Sequence, residues 1–322
     1  MRHAKAYEKI SNAEVIGFSD QYVKRSKELA NLFKTNSYSS DELISDKSID
    51  AIHICTPNQS HAEFAISAMK KGKHVLVEKP MALTLKDCKN MIDVSKKMNV
   101  TLMIGHTFRF YPYSIKVKKI LDSGKIGTPK LISDFGIFSP GIIPKNQKPS
   151  WDKKRRFDSG IFIDTIHQVD KLRYWLNSDV SDVYVSKMDK IEKSSPHEQI
   201  GNIVLNFKNG TSVTIISVAT PWGISDIHSK IIGTKGMLYT KYGEEIKVGK
   251  SKWQNFTFPY QSSPPSYNHN LEGFVNEFQE FINCIKKSIT PSSNGIEGMK
   301  NLATVLAMYE SVKKKQIIKP KY

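Results

Sequence analysis

The rhythm of apolar and polar positions changes about a third of the way along the chain. Up to residue 107, short apolar runs alternate with stretches of helical spacing. AEVIGFSD (13–20) reads as a strand closed by an acidic residue, and the residues before it as a helix. Tyr22 to Phe33 carries apolar residues at helical intervals. DAIHICTP (50–57), HVLVEKP (74–80) and VTLMIGH (100–106) are short, apolar-rich runs, the pattern of parallel strands buried on both faces. Between them, Ser60 to Lys71 reads as a helix ended by Gly72. Thr84 to Met98 is another, with Thr84 and Asp87 at capping-box spacing. This order predicts an α/β domain over 1–107 built on a doubly wound parallel sheet.

Beyond 107 the alternation stops. A helix near Tyr113–Ser123 and a strand at 129–138 precede a Pro-, Lys- and Gly-rich segment, 139–160, that reads as a long loop. Ile161 to Leu176 is helical. Strands follow at 183–187, 203–207, 213–218, 230–232, 237–240 and 245–248, with an Asn209-Gly210 turn between the second and third. Helices at about 269–287 and 296–314 close the chain. Strands without intervening helices imply an antiparallel sheet, so 108–322 is expected to be an α+β domain with a mainly antiparallel open sheet. Its last helices are expected to pack back on the first domain.

Composition narrows the class. The 322 residues are 39% hydrophobic and 25% charged, as in globular proteins. No apolar run approaches the ~20 residues of a membrane span, and the start has no signal-peptide character, so a cytoplasmic protein is expected. The formal charge is +17, but the lysines are spread over every segment, usually on polar helix faces. That distribution argues against nucleic acid as a partner. Cys55, Cys88 and Cys284 are widely separated and read as buried thiols in a reducing compartment.

Candidate chemistry collects where the first four strands end, the place where open parallel sheets bind ligands. Ser19 and Asp20 follow the first strand. Thr56, Pro57 and Asn58 follow the second, with His61 one turn into the helix. Glu78, Lys79 and Pro80 follow the third; His106, Thr107 and Arg109 follow the fourth. A carboxylate at Asp20 suits the ribose hydroxyls of an adenosine and would repel a 2′-phosphate, which favours NAD over NADP, although Lys24 and Arg25 lie close by. Lys79 is suited to polarising a substrate oxygen or passing a proton. In the second domain Asp164, His167 and Asp170 recur every third residue, near one helical face. An imidazole beside a carboxylate is a general base for a hydroxyl proton, and equally the pattern of a buried histidine satisfied by an aspartate. Trp151, Arg155 and Arg156, in the loop before that helix, could hold an anionic sugar derivative; a solvated basic loop is the alternative.

Together these residues resemble the Gfo/Idh/MocA oxidoreductases, over essentially the whole chain. The resemblance is carried by DAIHICTPNQSHAEFAISAMKKGKHVLVEKPMAL, by FRFYPYSIKVKKILDSGKIGTPKLI, by DTIHQVDKLRYWL and by the closing helices. It implies a Rossmann-type first domain, NAD or NADP as cofactor, and hydride transfer between the nicotinamide and a secondary alcohol of a sugar, cyclitol or sugar derivative. On that resemblance Lys79 would sit by the reacting carbon, and His167 would take the proton with Asp164 beside it. Asp20, Thr56, Pro57, Asn58, His61, Glu78, Lys79 and Arg109 would serve the cofactor. His106, Trp151 and Arg156 would join Lys79, Asp164 and His167 at the substrate, and no metal is called for. A homo-oligomer, dimer or tetramer, packing through the C-terminal sheet is expected. Two departures stand out. Family members often have one more residue between the Asp and the His. The family also opens with a strand and a Gly-x-Gly-x-x-Gly turn, whereas RHAKAY resembles the end of the helix that follows them. The expectation is therefore that about 10–15 residues, a strand and a turn, belong upstream of Met1. The rival readings are an inactive truncated product and a non-catalytic sugar or nucleotide sensor on the same scaffold.

Overall fold

The computed structural model describes residues 1–138, 160–191, 193, 195, 197–220, 225–242, 245–257 and 271–322. Trp151, Arg155 and Arg156, with the rest of the 139–159 segment, lie outside the described residues. The chain divides into two compact units, Met1–Tyr111 with Asn270–Leu302, and Pro112–His269 with Ala303–Tyr322.

In the first unit, α1 (Arg2–Tyr7) precedes β1 (Gly17–Phe18), α2 (Val23–Phe33), β2 (Asn36–Ser37) and α3 (Ser40–Ser45). Then come β3 (Ala51–Ile54), α4 (His61–Lys70), β4 (His74–Glu78), α5 (Leu85–Lys97) and β5 (Leu102–Gly105). The sheet is parallel, and it comes in two pieces. β1 pairs with β2, and β3, β4 and β5 pair in that order, with no ladder joining the pieces among the described residues. The strand expected over 13–20 shortens to two residues, because backbone groups stay extended in a ladder only where a partner answers them, and β2 offers two residues. β2 and α3 are additions to the sequence reading. A capping box starts α3: Ser39 N donates to Glu42 Oε2 at 2.8 Å, and Ser39 Oγ accepts from Glu42 N at 3.3 Å.

Both faces of the three-stranded piece are covered, which is why its strands are so apolar. Ile52, Ile54, Val75, Val77 and Ile104 pack on one side with Ala65, Met69, Cys88 and Met91 from α4 and α5. Leu76 and Met103 pack on the other with Ala6 of α1 and with Phe278 and Phe281 of the helix Glu272–Lys287. The outer edge of β5 is closed by the chain before the last helix: Ile104 N donates to the Ser293 carbonyl at 2.8 Å, and Ser293 Oγ to the Ile104 carbonyl at 2.9 Å.

The second unit contains α6 (Pro112–Asp122), β6 (Pro129–Phe138), α7 (Ile161–Leu176) and β7 (Val180–Asp189). β8 (Ile200–Phe207), β9 (Ser212–Ala219), β10 (Asp226–Gly233), β11 (Met237–Lys241), β12 (Glu245–Gly249) and β13 (Trp253–Thr257) complete an eight-stranded sheet. The order is β13-β12-β11-β10-β6-β9-β8-β7, antiparallel throughout except for the β6–β9 pair. β13 is a further addition, an edge strand with an exposed Trp253. The Asn209-Gly210 turn is a three-residue loop in which Gly210 takes φ +83° and Phe207 N meets the Thr211 carbonyl.

α7 lies on the sheet at β6, β8 and β9. Between them a charged group is buried completely. Asp134 of β6 is 0% exposed and accepts from Lys171 Nζ at 2.7 Å and Gln168 Nε2 at 2.8 Å, both on α7, and from Ser229 Oγ of β10. The Lys171 ammonium also stands 4.8 Å over the Trp175 ring. Two faces that would otherwise meet through apolar contacts alone are thus keyed in one register. No described helix is long and apolar enough to cross a membrane.

Candidate active site

The first unit gathers most of the expected groups at the carboxyl ends of β3, β4 and β5. Cys55, Thr56 and Pro57 leave β3 and enter a 3₁₀ turn, Asn58–Ser60, before α4. Ser60 Oγ donates to Thr56 Oγ1 at 2.9 Å, which orients that hydroxyl. His61 is fully buried, with Nε2 2.8 Å from the Thr56 carbonyl and Nδ1 2.8 Å from the Pro80 carbonyl. It therefore bridges the loop after β3 to the loop after β4.

Lys79 follows β4 and is only 8% exposed, unusual for a lysine. The Lys79–Pro80 peptide is cis, and Lys79 N donates to Glu78 Oε2 at 3.2 Å. Glu78 Oε1 lies 3.3 Å from His3 Nε2. Burial alone would raise the Glu78 carboxyl; the hydrogen bond and charge of His3, then the charges of His53 and Lys79, hold it well below the usual carboxylate range. An ionised carboxylate therefore stands beside the buried Lys79 side chain.

Cys55 departs from expectation: it is exposed, while Cys88 and Cys284 are buried. One position past the end of β3, it has left the packed sheet. The protein crowded around its sulfur works against the thiolate, yet the charges of His53 and His3 and hydrogen bonds from both outweigh this and bring the thiol down to about 5. Burial pushes Cys88 up to about 12 and Cys284 to about 11. With iodoacetamide at pH 7, peptide mass mapping should find Cys55 carboxamidomethylated first, its rate falling as pH drops through about 5. Equal labelling of all three thiols would contradict this environment.

After β5, the expected groups turn inward. His106 is buried with Nε2 3.1 Å from Asn301 Nδ2, and Thr107 Oγ1 donates to Glu277 Oε2 at 2.9 Å. Arg109, also buried, donates to the Ser292 carbonyl at 2.6 Å and to Glu297 Oε2 at 3.2 Å. Its guanidinium thus ties the end of β5 to the segment opening the last helix. Asp20, half-buried beyond β1, accepts from Tyr22 N at 2.8 Å through Oδ1 and so shapes the turn into α2.

In the second unit, α7 starts at Gly160, whose φ of +71° and whose space both require glycine. A Cβ there would stand 2.6 Å from Glu198 Oε1 and 3.0 Å from the Tyr309 hydroxyl. Asp164 and His167 are partly buried, and Asp170 is fully buried one turn on. Burial, then the Glu198 charge and hydrogen bond, then the Asp164 charge, raise the Tyr309 phenol, which stays protonated as a donor. Glu198 and Tyr309 are the groups near Asp164 that spacing along the sequence could not disclose, since they come from β7–β8 and the last helix.

The donors present fit a nicotinamide dinucleotide at its two ends. The oriented Asp20 carboxylate matches a ribose diol, and the Thr56 hydroxyl, Glu78 and the buried Lys79 are polar groups presented at strand ends. No Gly-x-Gly-x-x-Gly turn occurs in the sequence, so the pyrophosphate has no such cradle among these residues.

The chain is 27% identical to scyllo-inositol 2-dehydrogenase (NAD(+)) of Bacillus subtilis, over 94% of this chain and 87% of that one. It is 27% identical to myo-inositol 2-dehydrogenase of Thermotoga maritima, over 98% and 94%. The crystal structure of scyllo-inositol dehydrogenase from Lactobacillus casei, with bound NAD(H) and scyllo-inositol, shares the fold at a TM-score of 0.80 and 21% identity, over 99% of this chain and 95% of that one. Residues 1–106 match the NAD-binding Rossmann-fold model of the Gfo/Idh/MocA oxidoreductases, and residues 118–319 match that family's C-terminal alpha/beta domain. With both domain models matched in order over most of its length, the chain belongs to the Gfo/Idh/MocA oxidoreductase family, whose first domain is the NAD-binding one.

Proposed function

We propose that the chain oxidises a secondary alcohol of a cyclitol or related sugar with NAD, and reduces the corresponding ketone in the reverse direction. The observation that carries this is Lys79, a buried ammonium at the carboxyl end of β4 beside an ionised Glu78, in a chain of this family. The inositol 2-dehydrogenases among its relatives support a ring polyol as substrate. Bound NAD supplies the hydride acceptor.

Asp20 accepts from the ribose hydroxyls, which favours NAD over NADP. Thr56, Pro57, Asn58 and Glu78 line the cofactor, and His61 and Arg109 serve it by fixing the loops that do. Lys79 donates to the substrate oxygen. As the carbinol hydrogen leaves with its electron pair, the hydroxyl proton passes to His167, and Asp164 steadies the resulting imidazolium. Trp151 and Arg156 are the groups assigned to bind the substrate, and the buried His106 serves that side by fixing the segment after β5. Residues 1–107 thus form the dinucleotide domain, and 108–322 the substrate and assembly domain. A cytoplasmic homo-oligomer closing on the open face of the large sheet completes the reading.

The test combines absorbance of NADH formed from NAD with myo- or scyllo-inositol and calorimetric titration with NADH. A dissociation constant of about 1 mM or below is expected. Absence of both binding heat and turnover would overturn the proposal. His167→Gln should lower turnover by about 10²-fold at neutral pH. The loss should shrink as pH rises and hydroxide takes over proton removal; a pH profile parallel to the parent would remove His167 from the proton path.

A further inference from the structure

His53 faces the side of β3 opposite Ile52 and Ile54, and Cys55, one position past the strand's end, meets the same histidine, His3, that stacks on His53. α1 brings His3 to that side. His3 Nδ1 stands 3.0 Å from Cys55 Sγ, and the His3 and His53 rings stack at 4.8 Å with 19° between planes. One donor atom from each of the three residues lies within 4.8 Å of the others.

The surroundings are those of a ligand set. His3 has its second nitrogen, Nε2, 3.3 Å from Glu78 Oε1, the carboxylate behind a histidine that fixes which nitrogen points inward. The Tyr7 hydroxyl stands 3.4 Å from His53 Nδ1. Phe278 meets both imidazoles edge-on, at 5.6 Å from His3 and 4.9 Å from His53, walling the cluster with apolar surface. Cys55 is exposed, which gives an ion its way in.

We propose that His3, His53 and Cys55 bind a zinc ion, with Glu78 orienting His3 from behind. Two imidazoles and a thiolate are the donors that zinc prefers, whereas calcium and magnesium take oxygen. Zinc–nitrogen and zinc–sulfur bonds put tetrahedral ligands about 3.3–3.8 Å apart, so the cluster would close by about an ångström at its widest while the His3 Nδ1–Cys55 Sγ pair opens by about half an ångström. Three protein ligands leave a fourth position for water or an incoming donor. The ion would pin α1 to β3 and engage Glu78 through His3, next to the residues assigned to the cofactor.

The experiment uses the full chain without a histidine tag. Titration with Co(II) should give a 1:1 complex with visible bands of tetrahedral intensity and a near-ultraviolet thiolate-to-cobalt band, all abolished by excess zinc. Cys55→Ser should remove the thiolate band and weaken zinc by at least about 100-fold, and Glu78→Gln should weaken it by about 10–100-fold. Circular dichroism confirms that each variant is folded. Zinc should also protect Cys55 from alkylation in the parent. A weak octahedral spectrum, or zinc affinity unchanged in folded Cys55→Ser, would overturn the site.

Discussion

Lys79→Met is expected to lower turnover by about 10²–10⁴-fold at neutral pH while the chain stays folded. Methionine keeps an unbranched apolar stem of similar length, so the buried volume beside β4 is still filled. What disappears is one ammonium. If that ammonium acts by donating to the substrate oxygen as the hydride leaves, its contribution is made in the transition state, and kcat falls with little change in KM. Steady-state kinetics with NAD and inositol, beside the thermal midpoint, separate the cases. A parental kcat in a folded variant would take Lys79 out of the chemistry. A lower kcat with a collapsed midpoint would show instead that Lys79 holds the fold.

Asp134→Ala should cost the second unit about 3–5 kcal/mol. The loss is less that of an attraction than of a compensation: the Lys171 ammonium, 1% exposed, would be left charged between helix and sheet, and Gln168 and Ser229 would lose their common acceptor. Urea unfolding followed by tryptophan fluorescence measures it. Asp134→Leu combined with Lys171→Met should recover part of the stability, because it removes both buried charges and leaves only the Gln168 amide and the Ser229 hydroxyl without their acceptor. A single variant as stable as the parent would show that water reaches Lys171. The same helix carries Asp164 and His167, so turnover should fall with the single variant even below its unfolding midpoint.

The parallel strands were legible because burial on both faces leaves apolar runs such as HVLV with little else to be. Strand limits were less legible where length depends on a partner: AEVIGFSD has the composition of a longer strand, yet Asn36–Ser37 answers only two of its residues. α3 could have been found, since Ser39 and Glu42 hold the capping-box spacing that identified α5 at Thr84 and Asp87. β13 could not, because WQNFT at a sheet edge carries no alternation of its own. Polar residues at strand ends announced a site, but not which of them face outward. His106 and Arg109 are engaged by Asn301 and Glu297, 195 and 188 positions away, and only the folded chain brings those partners near. Cys55 was misjudged for a similar reason. Its apolar neighbours suggest burial, and the strand ends one residue too soon.

His61 also has a mechanical meaning. With a carbonyl at each ring nitrogen, one from the segment that carries Thr56 and one from the segment that carries Lys79, it makes a single stiff part of two loops that sequence alone would let move separately. Any displacement of Lys79 on binding is then shared by Thr56, so the two respond as one lever rather than as two independent contacts. His61→Phe would keep the volume and cut the linkage, leaving each loop to find its own position.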